Sequence, residues 1–167
     1  MLNLLKSWGL SGQWWQGHRG EYWALGQGIL SLGFILLPPA SFPRLMVPVL
    51  WREGLALSFG LGATFLLGWG LFSLGTNLTP LPHPKTDGEL VTTGIYGLVR
   101  HPIYSAVIFL ALAYSCWLWS WPHALGVLGF VLFFDAKARK EETWLCQKFP
   151  DYDRYRQGVK KLIPGIY

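Results

Sequence analysis

Five side chains able to do chemistry stand in two short clusters of the sequence. The first is the run from Leu90 to Tyr104 (LVTTGIYGLVRHPIY), which carries Arg100, His101 and Tyr104; the second is the pair Glu141-Glu142. Histidine and carboxylates are the usual general bases, and ionised carboxylates accept several hydrogen bonds. Taken singly, each cluster has an ordinary reading. Arg100 and His101 suit an interfacial anchor, and the two glutamates suit a solvated helix end. Taken together they make one polar site with an imidazole, a guanidinium, a phenol and two carboxylates. Whether they meet depends on what lies between them.

The spacing of charges predicts those elements. No Asp, Glu, Lys or Arg occurs in the 22 positions between Glu21 and Arg44, the 31 between Glu53 and Lys85, or the 34 between Arg100 and Asp135. A bilayer-spanning helix needs about 20 apolar residues, so the first two gaps each hold one span, at 22–38 and 54–75. The third gap is too long for one helix and has Ser120-Trp121-Pro122 near its middle. Serine suits a helix N-cap, and proline is tolerated in a first turn but not in an interior. A hairpin of two spans, 102–119 and 122–139, follows. With Trp121 as its apex, His101 lies 20 residues before and Glu141 20 after. Equal helical paths of about 30 Å bring both clusters to the same edge of the bilayer.

Composition supports a membrane bundle. Of 167 residues, 51% are hydrophobic, 16% aromatic and 14% charged, against about 25% charged in soluble domains. Two cysteines, Cys116 and Cys146, are too few for a disulfide scaffold or a four-ligand zinc site, and no metal is expected. The expected fold is all-α: a single integral-membrane domain of about four transmembrane helices with a cytoplasmic helical tail. Residues 1–21 form an N-terminal interfacial segment, with 1–16 a candidate surface helix and no cleaved leader. The tryptophans should sit at the headgroup layer, except Trp69, expected inside the bundle. Ala56, Gly60, Thr64 and Gly68, four apart, are expected at a helix–helix contact. Eight of the 14 Lys and Arg residues fall between Lys137 and Lys161. By the positive-inside rule the tail, both termini and segments 76–101 and 140–167 are cytoplasmic. Anionic lipid, rather than nucleic acid, is the expected partner of that charge.

At the two clusters the sequence resembles the isoprenylcysteine carboxyl methyltransferase family, membrane enzymes that are themselves similar to phospholipid N-methyltransferases. The matching pieces are the Leu90–Tyr96 run, Arg100-His101-Pro102-Ile103-Tyr104, then Glu141-Glu142, Phe149, Tyr152, Tyr155 and Leu162-Ile163-Pro164. The resemblance implies S-adenosylmethionine as methyl donor. It implies cofactor contacts from Thr92, Gly94, Tyr96, Arg100, His101, Pro102, Tyr104, Glu141 and Glu142, with Arg100, His101 and Glu142 nearest the chemistry. Two positions depart from the usual pattern: Ala106 stands where relatives commonly have Gly, and Lys160 or Lys161 where Arg is frequent.

That donor suits the residues. Its sulfonium, ammonium and ribose diol call for carboxylates and other acceptors, and methyl transfer depends mainly on positioning. A carboxylate acceptor needs no base, whereas an amine or thiol would need one, for which His101 and Glu142 are the candidates. The acceptor is expected to be lipophilic: a small apolar molecule, a lipid or a prenylated group. The alternatives are a membrane reductase using a nicotinamide cofactor and a non-enzymatic adaptor or transporter subunit. Two carboxylates beside Arg100 suit a phosphorylated nicotinamide cofactor poorly, and a transporter would be expected to place ionisable groups at the bilayer midplane.

Overall fold

The computed structural model describes residues 19–42, 47–79 and 81–167; the expected surface helix at 1–16 lies outside them. Five α-helices follow in order: α1 Glu21–Leu36, α2 Val49–Leu74, α3 Pro102–Leu118, α4 Trp121–Lys148 and the short α5 Tyr152–Gly158, with 3-10 turns at Gly75–Asn77 and Gly94–Gly97. No strand occurs among the described residues, only two isolated bridges. The chain is all-helical, as the charge gaps predict.

The helix ends have local causes. At the start of α1 the Glu21 carboxylate reaches back to accept the Arg19 backbone N–H at 2.9 Å, and Pro38-Pro39 stops the helix by removing donors. α2 starts after Pro48 and ends at Gly75, whose φ of +51° favours glycine. α3 opens on Pro102, where a missing N–H costs nothing. Two ends differ from expectation. α2 begins five residues before 54. α4 runs to Lys148 rather than 139, because no Gly or Pro interrupts it before Pro150 and Arg139 pairs with Asp135 one turn back at 2.7 Å. Both glutamates therefore sit on the same rigid helix that forms the hairpin.

The reversal between α3 and α4 is tight. Trp119 takes the left-handed conformation (φ 48°, ψ 49°) and Ser120 is extended. The Trp119 and Ser120 N–H groups donate to the Cys116 and Ser115 carbonyls, satisfying orphan acceptors of the α3 terminus. Ser120 does not cap α4 through its side chain. Its oxygen instead accepts the Ala40 N–H at 3.2 Å and meets Nδ1 of the buried His123 at 2.8 Å, stitching the α1–α2 connection onto the hairpin.

α2 packs chiefly on α3, through Ala63, Leu66 and Gly70; a Cβ on Gly70 would lie 3.3 Å from Pro102 and Ile103. The Ala56, Gly60, Thr64, Gly68 row does not make this contact: Gly60 and Gly68 have open space where a side chain would stand. Small residues do mediate close packing, but one face over. Trp69 is 40% exposed rather than enclosed. α1 crosses α4 at Gly126, where a Cβ would meet the Phe34 ring at 2.6 Å. Phe34, Ile108, Phe130 and Phe134 centre the core.

Large apolar side chains stand outward along the helices, among them Ile29, Leu36, Leu50, Leu61, Phe72 and Leu132, each at least 59% exposed. Among the described residues, one segment, Val49–Asn77 with a mean hydropathy of 1.7, suffices by length and composition to cross a bilayer; α3 is apolar but has 17 residues. Of the four expected spans, one meets that criterion.

Candidate functional site

The chain segments 75–79, 81–101 and 149–167 gather at the end of the bundle opposite the hairpin. Arg100 and His101 form the extended step into α3. Their backbone N–H groups donate to the carbonyls of Lys160 (2.8 Å) and Lys161 (3.1 Å), so the tail pairs with the Arg-His step. The Ser105 hydroxyl donates to the carbonyls of His101 and Leu162, and Leu162 is buried. The Tyr155 hydroxyl donates to the Tyr96 carbonyl at 2.5 Å.

The two predicted clusters touch. Arg100 Nε donates to Glu142 Oε1 at 2.9 Å, and its Nη1 donates to the carbonyls of Arg156 (2.8 Å) and Val159. His101 Nε2 lies 3.1 Å from the same Glu142 oxygen, and its Nδ1 lies 3.8 Å from Glu141 Oε2. The Tyr104 hydroxyl donates to Glu141 Oε2 at 2.5 Å. The His101 ring stacks on Tyr104 (5.2 Å, 3°), which stacks on Phe134 (4.9 Å). This aromatic column fixes the imidazole plane.

The glutamates do different work. Burial alone would raise the Glu142 carboxyl, but hydrogen bonds from His101 and Arg100, with their charge, outweigh it and hold the group at about 2. An ionised carboxylate only accepts, so His101 must present Nε2–H to it. That leaves Nδ1 on the Glu141 side. Glu142 is buried (side chain 8% exposed) and is absent from the cavity walls, whereas Glu141 is 23% exposed and faces in. Burial, then the negative charge of Glu141, pushes the Tyr96 phenol well above its ordinary value. Tyr152 and Tyr155 are raised chiefly by burial too. All three remain neutral donors.

The cavity measures 490 Å³, within the range of about 300–1,000 Å³ usual for small-molecule sites. Of the residues singled out from sequence, Tyr96, Arg100, His101, Pro102, Tyr104 and Glu141 line it; Thr92, Gly94 and Glu142 do not. Gly94 holds a turn at φ +63° against α2, where a Cβ would lie 3.1 Å from Ser73 Oγ. Tyr152, Tyr155 and Phe149 form walls from the tail. Other lining groups escape the sequence reading: Gln27 on α1, Lys137 on α4, and Asn77, Lys85 and Glu89 on the α2–α3 connection. Lys137, counted from sequence with the basic tail, is 3% exposed. Its spacing of one turn before Glu141 was the available signal.

The same cavity has apolar lining from Leu71, Leu74 and Ile103. An adenosyl group with a sulfonium and an ammonium fits this donor set. Glu141 supplies negative charge and acceptors, Tyr96 and Tyr155 supply flat faces, and the cavity is large enough.

Comparison with known proteins agrees. The phospholipid methyltransferase family model matches residues 51–152. The chain is 30% identical to the protein-S-isoprenylcysteine O-methyltransferase of Dictyostelium discoideum over 75% of this chain and 54% of that protein. It is also 30% identical to the enzyme of that name in Schizosaccharomyces pombe, over 75% and 56%. A nickel-cobalt-cadmium resistance protein, NccN, of Alcaligenes xylosoxydans xylosoxydans is 35% identical over 49% of this chain and 39% of its own length. The chain thus spans about half the length of the curated relatives it matches. With the family model covering more than half the chain and both glutamates and the Arg-His-Pro step inside the matched region, the chain belongs to the phospholipid methyltransferase and isoprenylcysteine carboxyl methyltransferase family.

Proposed function

We propose that this protein is an integral-membrane methyltransferase that takes a methyl group from S-adenosylmethionine and gives it to a lipophilic or prenylated acceptor. The observation that carries the reading is the cavity itself. Its carboxylate end, with Glu141, His101 and Tyr104, is continuous with an apolar wall of Leu71, Leu74 and Ile103. A water-soluble donor and an apolar acceptor can share such a space only where water meets lipid. The outward apolar side chains of α1, α2 and α4 support immersion of the bundle, since soluble monomers rarely expose large contiguous apolar patches.

When bound, the donor supplies an electrophilic methyl on a sulfonium. The protein supplies placement. Glu141 accepts hydrogen bonds from the donor's cationic or hydroxyl groups, held in place by Tyr104. His101, clamped by Glu142 and the aromatic column, presents Nδ1 to the cavity and takes the proton of an amine or thiol acceptor; a carboxylate acceptor makes no use of it. Arg100 and Glu142 keep the tail closed over the site, so their part in the chemistry is positioning. Excluding water and orienting two reactants is worth about 7–11 kcal/mol when geometry is right.

Calorimetric titration of S-adenosylmethionine into detergent-purified protein tests the reading; saturable binding is expected, and none by folded protein would overturn it. Radiolabelled donor with extracted lipids then identifies the acceptor class. The excess of basic residues at this end supports a cytoplasmic site with four spans and both termini inside. A cysteine placed at Gln157 should then be labelled only from the cytoplasmic face.

A further inference from the structure

Lys137 carries a charge that nothing in the proposed reaction uses. It lies on α4, one turn nearer the hairpin than Glu141, lines the cavity and is 3% exposed. Its Nζ donates to Gln27 Oε1 on α1 at 2.7 Å and stands over the Tyr104 ring at 4.8 Å. No carboxylate lies within salt-bridge distance of it among the described residues. Glu141, the nearest acid on its helix, is drawn away by the Tyr104 hydroxyl. An ammonium has three donors, and burying one without an anion is costly. A neutral amide and the ring faces of Tyr104 and Phe134 compensate only part of that cost.

We propose that Lys137 and Gln27 form a carboxylate-binding subsite within the cavity, and that its occupant is the amino-acid carboxylate of the methyl donor. This rests on the donor reading above. The placement explains the pattern on α4. Lys137 and Glu141 are opposite charges at a spacing that normally pairs them, yet both line the cavity without an ion pair to each other, Glu141 turning to Tyr104 and His101 instead. An α-amino acid presents the complementary pair, its carboxylate to Lys137 and its ammonium to Glu141. Gln27 adds a side-chain N–H to the same anion while its oxygen holds the lysine. A carboxylate on the acceptor would have the same chemistry, and the test separates the two sources.

The test titrates wild type, Lys137→Met and Gln27→Glu with four probes: S-adenosylmethionine; 5′-deoxy-5′-methylthioadenosine, which keeps the nucleoside but lacks the amino acid; N-acetyl-S-farnesylcysteine; and its methyl ester. Circular dichroism confirms the fold of each variant. Gln27→Glu keeps every heavy-atom position but places an anion on Lys137, so it should block the subsite even if Lys137→Met perturbs packing. The expected result is at least tenfold weaker S-adenosylmethionine binding by both variants, with methylthioadenosine unchanged. Loss confined to the free farnesylcysteine acid, sparing its ester and the donor, would overturn the donor assignment and give the subsite to the acceptor. Wild-type affinity for all four probes in both variants would overturn the subsite altogether. Failure of wild type itself to bind S-adenosylmethionine would strike the donor reading instead, leaving the farnesylcysteine pair to judge the subsite.

Discussion

The two ends of the bundle bury polar groups in opposite ways. At the hairpin, Ser120, His123 and Ser115 are buried among neutral partners: an amide N–H, a hydroxyl, a backbone carbonyl and the rings of Phe34 and Tyr114. At the other end the buried groups are ionic, Arg100, Glu142 and Lys137, and Arg100 and Lys137 border the cavity. Neutral hydrogen bonds close a turn at modest cost, whereas buried charges need each other or a ligand. One end is built for cohesion and the other for occupancy. Even within the second end the work is divided: Glu142 anchors, and Glu141 faces the cavity.

The sharpest way to break this contrast is Glu142→Ala, which strands Arg100. Losing one partner of a buried ion pair costs about 3–5 kcal/mol, and thermal denaturation in detergent should show the largest drop of any substitution considered. The same group sets an acid limit. Its folded pKa of about 2 lies below the ordinary 4.5, so its stabilising contribution is complete above pH 4.5 and disappears as pH falls towards 2. Wild type should lose stability across that window while Glu142→Gln does not share that dependence; identical acid profiles would remove the anchoring role. Next in size, Ser120→Ala leaves the Ala40 N–H and His123 Nδ1 without their partner, at about 1–3 kcal/mol. It should lower the melting temperature without altering donor affinity, and a change in affinity would show that the ends are coupled. Smallest in stability is Glu141→Gln, expected to melt near wild type yet bind S-adenosylmethionine about tenfold more weakly, or ~1.4 kcal/mol. Equal donor affinity would collapse the distinction between the glutamates.

What could be read from the sequence follows the range of the forces involved. Charge gaps and the Ser-Trp-Pro step act locally, so the helices, the reversal and the meeting of Arg100 and His101 with the two glutamates were all legible. Which face of α2 would pack was not. Gly60 and Gly68 match a close-packing pattern as well as Gly62 and Gly70 do, and only the position of α3 decides between them. The difference between Glu141 and Glu142 was also hidden, since adjacent helical residues point about 100° apart and the direction of the cavity is a tertiary fact. Lys137 was grouped with the basic tail by its charge alone, and its burial against Gln27 of α1 is a tertiary fact. Gln27 had no local signal at all.

The docking of the tail carries its own consequence. Val99 pairs in parallel with Lys160, and Arg100 and His101 donate to carbonyls some 60 positions later. Contacts of that separation form late in folding, after the helices they join. A partly made copy can therefore be folded along most of its length and still lack the closed end of the cavity. The site is completed by a final latching event rather than growing in step with synthesis.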